Sequence, residues 1–181
     1  MPAPPMTADE YFRTPETMLP QELVYGRVRD APAPVPGHQW AVGQIFLALT
    51  EHVRSRRAGD VWLAPIDVVL DKEKSLVVQP DIIFIAQNRL HIVTDRVWGA
   101  PDLVIEVLSP FPRIGDVRER LDWFAEYGVR ECWLLHQSIP EVEVVQFAGG
   151  KFESRRFFRE NERLRSTVLP EFDRPLTRIF G

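Results

Sequence analysis

Apolar residues recur along this chain with two periods, and the alternation between them predicts a mixed α/β (α+β) architecture. Thr7-Ala8-Asp9-Glu10 has the form of a capping box, so a short helix should begin there. It should end near Thr14-Pro15, because the residue before proline avoids the α region. Residues 22–28 read as two short strand pieces around Gly26. Pro32, Pro34 and Pro36 make residues 31–37 an extended loop, excluding helix and paired strand. From His38 to about Arg57, Val42, Ile45, Phe46, Leu49 and Val53 recur at three and four residues and predict a helix. Arg54, Arg56 and Arg57 suit its C-terminal dipole, and Gly59 should end it. Strands follow at 61–64 and 66–70, with a turn at 71–74. The apolar runs 77–85 and 101–109 read as interior strands, separated by a loop over 88–98. A second helix is predicted over 115–127, with Gly128 as its C-cap. Strands at 130–136, 141–147 and 152–158 complete the pattern. With no repeat and no linker, residues 1–181 form one expected domain, a mixed β-sheet flanked by helices.

Composition narrows the function classes. The 181 residues are 45% hydrophobic and 27% charged, which suits a globular protein with a real core. The net charge of −4 excludes a strongly basic footprint over the whole chain. A local one is conceivable at 151–165, where six Lys and Arg face three Glu, although a solvated charged edge explains that segment as well. Cys132 is the single cysteine, so neither a disulfide nor a thiolate zinc site can form within one chain. No apolar stretch reaches the roughly 20 residues of a membrane span. The N-terminal Met1-Pro2-Ala3-Pro4-Pro5 lacks the apolar region of a signal peptide, so a cytoplasmic protein is expected.

Two carboxylates break this pattern: Asp81 and Glu106 lie inside the apolar runs. A carboxylate on an interior strand costs several kcal/mol unless a metal, a cation or a proton compensates it. If the two strands pair, both acids can point into one pocket. Two oxygen ligands plus a backbone carbonyl suit Mg²⁺ or Mn²⁺, which keep waters and meet substrate phosphates. The second helix offers a different compensator. Val117, Leu121 and Phe124 form its apolar stripe, and Arg120 falls within about 60° of Val117 on that inward side. An inward arginine needs acceptors, and the strand carboxylates are the candidates. Glu22 is a candidate third acid.

At this point the ordered motifs become recognisable. Glu22-Leu23-Val24-Tyr25-Gly26-Arg27, His38-Gln39, Gln79-Pro80-Asp81-Ile82, the segment from Pro101 to Pro110, Asp116 to Arg120 and Tyr127 to Trp133 together resemble a large bacterial family of restriction-endonuclease-like proteins. That family belongs to the PD-(D/E)XK nuclease superfamily. The resemblance implies a restriction-endonuclease-like core and a Mg²⁺ or Mn²⁺ site at Asp81 and Glu106, with the Val107 carbonyl as a further ligand. It matches Glu22 to the family's N-terminal acid and implies an endonuclease acting on DNA. His38 and Gln39 are possible pocket residues.

The chain departs from the pattern in two places. The superfamily lysine, two residues after the glutamate, is Leu108 here, and Arg120 stands where this family carries its cation on the following helix. Arginine keeps the charge but cannot serve as a base. Leu134-Leu135-His136-Gln137 replaces a stretch that commonly holds an aspartate followed by proline. Two function classes follow: a metal-dependent endonuclease, expected as a homodimer if it cuts both strands, or a nuclease fold kept as a DNA-binding or protein-interaction module, with Arg120 neutralising the acids.

Overall fold

The computed structural model describes residues 4–15, 17, 19–31, 33–110, 114–136 and 139–180; Met1 to Ala3, Pro32 and Gln137 of the sequence reading lie outside them. A short helix α1 (Ala8–Tyr11) carries the capping box on Thr7 and Glu10. The hairpin β1 (Gln21–Val24) and β2 (Arg27–Asp30) turns at Tyr25-Gly26, where Gly26 takes φ +80. A side chain at Gly26 would also collide with Pro5, 2.6 Å from an added Cβ. Then come α2 (Pro36–Arg56), β3 (Gly59–Leu63), β4 (Val68–Asp71), β5 (Leu76–Val78), β6 (Ile82–Ala86), a 3₁₀ turn at Gln87–Ile92 and β7 (Val97–Trp98). The remainder is β8 (Leu103–Leu108), α3 (Ile114–Tyr127), β9 (Glu131–His136), β10 (Glu141–Ala148), β11 (Lys151–Arg159), β12 (Arg163–Arg165), β13 (Asp173–Pro175) and α4 (Thr177–Phe180).

Two larger sheets result, a five-stranded one ordered β2-β1-β5-β4-β7 and a six-stranded one ordered β11-β10-β9-β8-β6-β3. On one face of the six-stranded sheet, Ala41, Ile45 and Leu49 of α2 pack with Ile105, Trp133 and the C-terminal Leu169 and Phe172. On the other, Trp123 and Phe124 of α3 join Ile83, Val104 and Cys132 to Val68 and Leu76 of the five-stranded sheet. The second core therefore cements the two sheets. β8 and β9 are parallel, so the chain must cross over between them, and α3 is that crossover.

The fold is the mixed sheet flanked by helices that the sequence predicts, with several corrections of detail. Residues 77–85 are not one strand. The run breaks at Gln79-Pro80-Asp81, β5 joining the small sheet and β6 the large one. Pro80 has no N–H to give a ladder, so the chain changes sheets there. Helix α2 begins at Pro36, two residues early, because a proline at the first position loses no intrahelical bond. Arg57 takes the left-handed cap in place of Gly59, which instead opens β3 where an added Cβ would fall 2.0 Å from the Ile85 carbonyl. The predicted loop at 88–98 holds the 3₁₀ turn and β7, and the strand predicted at 66–70 starts at Val68.

Candidate active site

Strand pairing brings the two acids together. β6 and β8 are antiparallel with Ile82 opposite Ile105, so Asp81 and Glu106 are opposed one step beyond that pair. The Ala64 N–H, donating to the Asp81 carbonyl at 2.9 Å, ties the sheet junction to the end of β3. Asp81 Oδ2 accepts from the Val107 N–H at 2.7 Å and lies 3.2 Å from His38 Nε2. His38 reaches it from the first turn of α2.

Glu106 is held differently. Arg120, on α3, donates from Nε at 2.9 Å and from Nη2 at 2.5 Å, both to Oε1. Its Nη1 donates to both oxygens of Glu22 at 2.8 Å. Glu22 Oε1 also accepts from the Gln79 N–H at 2.7 Å. The guanidinium carbon lies 5.7 Å from the Phe124 ring centre. Arg120 thus bridges β1 of one sheet to β8 of the other, and its side chain is only 20% exposed. A cavity of about 190 Å³ opens beside it, between β8 and α3, lined by Leu108, Val117, Leu121 and Leu134.

The electrostatics follow from this crowding. Burial pushes the Glu106 carboxyl up to about 7; Arg120 pulls it down, while Asp81 and Glu22 add to the rise. Burial would lower the pKa of Arg120, but Glu106 and Glu22 outweigh it and drive the group further up, so it stays charged. His38 is raised, first by its hydrogen bond to Asp81 and then by the charges of Asp81 and Glu106, against burial.

The donor set can be tested against a divalent cation. Arg120 uses only Oε1 of Glu106, and His38 and Val107 use only Oδ2 of Asp81. One oxygen of each acid is outside these bonds. With the Val107 carbonyl they make an all-oxygen donor set that fits Mg²⁺ or Mn²⁺ in kind, the remaining positions being water or phosphate. Among the described residues, no three His, Cys, Asp or Glu side chains converge at ligand spacing. The protein would therefore supply two carboxylates rather than a closed cage.

Of the residues singled out in the sequence, Glu22, His38, Asp81, Glu106, Val107 and Arg120 are brought together. Gln39 is not: its side chain is exposed on α2. His136 ends β9, 3.8 Å from Glu141. Sequence reasoning missed the Gln79 backbone N–H as the anchor of Glu22. The proline after it was the available signal, since a chain leaving a ladder at Pro80 exposes the preceding amide.

Comparison with known proteins agrees with the architecture. No curated protein matches the chain. A solved structure from Anabaena variabilis ATCC 29413, described as "a putative nuclease belonging to DUF820", superposes with a TM-score of 0.81 at 20% identity, covering 97% of this chain and 98% of that one. At that identity the likeness carries the fold. The family model described as "Putative restriction endonuclease" matches residues 8–177, nearly the whole chain, and the chain belongs to that family, Uma2.

Proposed function

We propose that this protein is a metal-dependent endonuclease that hydrolyses phosphodiester bonds in DNA. The observation that carries the reading is the opposition of Asp81 and Glu106 across β6 and β8, each with one carboxylate oxygen outside the internal hydrogen bonds. Family membership supports it. Asp81, Glu106 and the Val107 carbonyl would hold Mg²⁺ or Mn²⁺. A divalent cation supplies a water of lowered pKa and neutralises charge on a phosphodiester. Glu22 fixes Arg120 from the opposite sheet, so the guanidinium can meet a phosphate without a large reorganisation. Arg120 cannot act as the base.

The test is nicking of supercoiled plasmid with Mg²⁺ or Mn²⁺. Wild type should nick, and Asp81→Ala and Glu106→Ala should each lose at least about a hundredfold, the scale of a lost electrostatic contact at a reacting centre. Equal cleavage by wild type and both variants sinks the reading.

One observation favours a second reading. Arg120 donates to two acids at once, and a locked bridge could keep the fold as a DNA-binding or protein-interaction module. In that case wild type binds no Mn²⁺ in calorimetry and nicks nothing, while Arg120→Lys restores binding. Cleavage of both strands would use a twofold dimer, which sedimentation at working concentration checks.

A further inference from the structure

The antiparallel pairing of β1 with β5 ends at Leu23 opposite Val77. The same register carried further would set Gln21 opposite Gln79, but there the chain turns away through Pro80 and Asp81 into β6. Side chains close the gap that the ladder leaves. The Gln21 N–H donates to the side-chain Oε1 of Gln79 at 3.3 Å, and the Gln79 N–H donates to Glu22 Oε1 at 2.7 Å. Gln79 Nε2 donates to Asp67 Oδ1 at 2.9 Å. Asp67 lies just before β4, where its carbonyl accepts from the Val97 N–H at 3.0 Å and its Oδ2 faces Arg96 Nε at 3.3 Å.

The Gln79 carboxamide fits this clamp only one way round. Its oxygen meets an N–H and its nitrogen meets a carboxylate; turned over, each would face a group of its own kind. Gln79, Asp67 and Arg96 are all half-buried, and a satisfied polar network away from water is rigid. What the clamp holds is the segment that carries the acids. Pro80 has its φ fixed by the ring, so a fixed Gln79 leaves the following Asp81 little freedom. The Gln79 N–H anchors Glu22, whose two oxygens hold Arg120 Nη1 at 2.8 Å.

We propose that Gln79 and Asp67 are positioning residues of the nuclease reaction: their side-chain bond sets the sheet junction so that Asp81, Glu22 and, through Glu22, Arg120 are aimed at one substrate phosphate. The inference rests on the nuclease reading above. It extends the site from Arg120 back through Glu22, Gln79 and Asp67 to Arg96, beside β7 of the five-stranded sheet.

The experiment is steady-state nicking of supercoiled plasmid at saturating Mn²⁺ by wild type, Gln79→Met, Gln79→Glu and the pair Gln79→Glu with Asp67→Asn, with a thermal melt confirming that each folds. Gln79→Met removes both amide bonds, and Gln79→Glu sets a carboxylate against Asp67. Each should lower kcat about tenfold to a hundredfold with KM unchanged, the scale for a lost outer partner of a reacting group. The pair exchanges amide and carboxylate and can keep every bond of the clamp, so it should regain at least about tenfold over Gln79→Glu alone, a non-additivity that independent sites do not show. A second measurement needs neither metal nor substrate. The ¹⁵N-edited signal of the Arg120 Nε–H, which donates to Glu106, should shift or exchange faster in Gln79→Met. Unchanged kcat in folded Gln79→Met, no recovery in the exchanged pair, or an unchanged Arg120 signal overturns the proposal; the nuclease reading survives, since wild type still nicks. Should Gln79→Met not fold, Gln79→Glu against the exchanged pair decides. If wild type nicks nothing, the nuclease reading falls and the proposal falls with it, whatever the Arg120 signal does.

Discussion

Glu106 sits where two electrostatic demands oppose each other. Burial and two neighbouring acids favour its protonated form, Arg120 favours the carboxylate, and burial wins, giving about 7. A carboxyl raised above its unfolded value binds more protons in the folded chain. Its contribution to stability is therefore full below the unfolded pKa, near 4.5, and is lost as pH rises through about 7. Glu106→Gln removes this dependence. The difference in unfolding free energy between wild type and Glu106→Gln should accordingly move by roughly 1–3 kcal/mol, against wild type, between those two pH values. Urea melts at a series of pH values measure it, and a flat difference would show that Arg120 holds the carboxylate charged throughout. Using the difference matters, because exposed carboxylates such as Asp9 and Asp173 are shifted the opposite way by their basic partners and would mask the trend in wild type alone. If Glu106 holds a cation, as proposed, release of its proton favours binding, since ligands must be deprotonated.

At the scale of elements, two other buried acids act as fasteners. Asp102, just before β8, lies 3.0 Å from Arg89 and accepts the Ala86 N–H at 2.9 Å, fixing the exit of β6. Glu131, at the start of β9, accepts from Trp133 Nε1, from Ser166 Oγ and from both the N–H and hydroxyl of Thr167. It pins the segment after β12 to the large sheet. Glu131→Ala strands those donors and should cost about 2–4 kcal/mol; hydrogen exchange should quicken first at residues 166–169. Loss of stability without that local change would place the effect elsewhere. The sequence made the helices legible because an apolar stripe at three and four residues has one interpretation. It made the Glu106 strand legible because a lone charge in an apolar run stands out. It also pointed Arg120 inward, since helix geometry fixes angles from numbering alone. Asp102 and Glu131 were opaque because most of their partners lie on other segments of the chain, at sequence separations up to 36, where no periodicity operates. The break at Pro80 was opaque for a different reason: a run of apolar residues looks the same whether one sheet or two receives it. His38 illustrates the limit most sharply. Its position at a helix start was readable, but its direction depends on where the first turn of α2 meets the sheet junction.

For the whole molecule, Arg120 is the polar clip between the two sheets, and the second core is its apolar counterpart. Arg120→Ala leaves Glu22 and Glu106 facing each other without a cation and should cost about 3–5 kcal/mol, the scale for breaking a buried pair from one side. Replacing all three together, with Glu22→Gln, Glu106→Gln and Arg120→Met, should recover most of that loss, because no buried charge is then left uncompensated. If the acids hold a cation, Mn²⁺ should raise the melting temperature of Arg120→Ala more than that of wild type, by mass action on the folded state. Equal shifts would deny any competition between the arginine and the metal. The parallel pairing of β8 with β9 has one more consequence, for the order in which this site is built. Because α3 is the crossover, Glu106 and Arg120 are only 14 residues apart, whereas Glu22 meets Arg120 across 98. Short loops close early and long ones late. In a refolding chain the guanidinium should find Glu106 before β1 docks, so Glu22→Gln should leave the refolding rate nearly unchanged and speed unfolding, while Glu106→Gln should slow refolding.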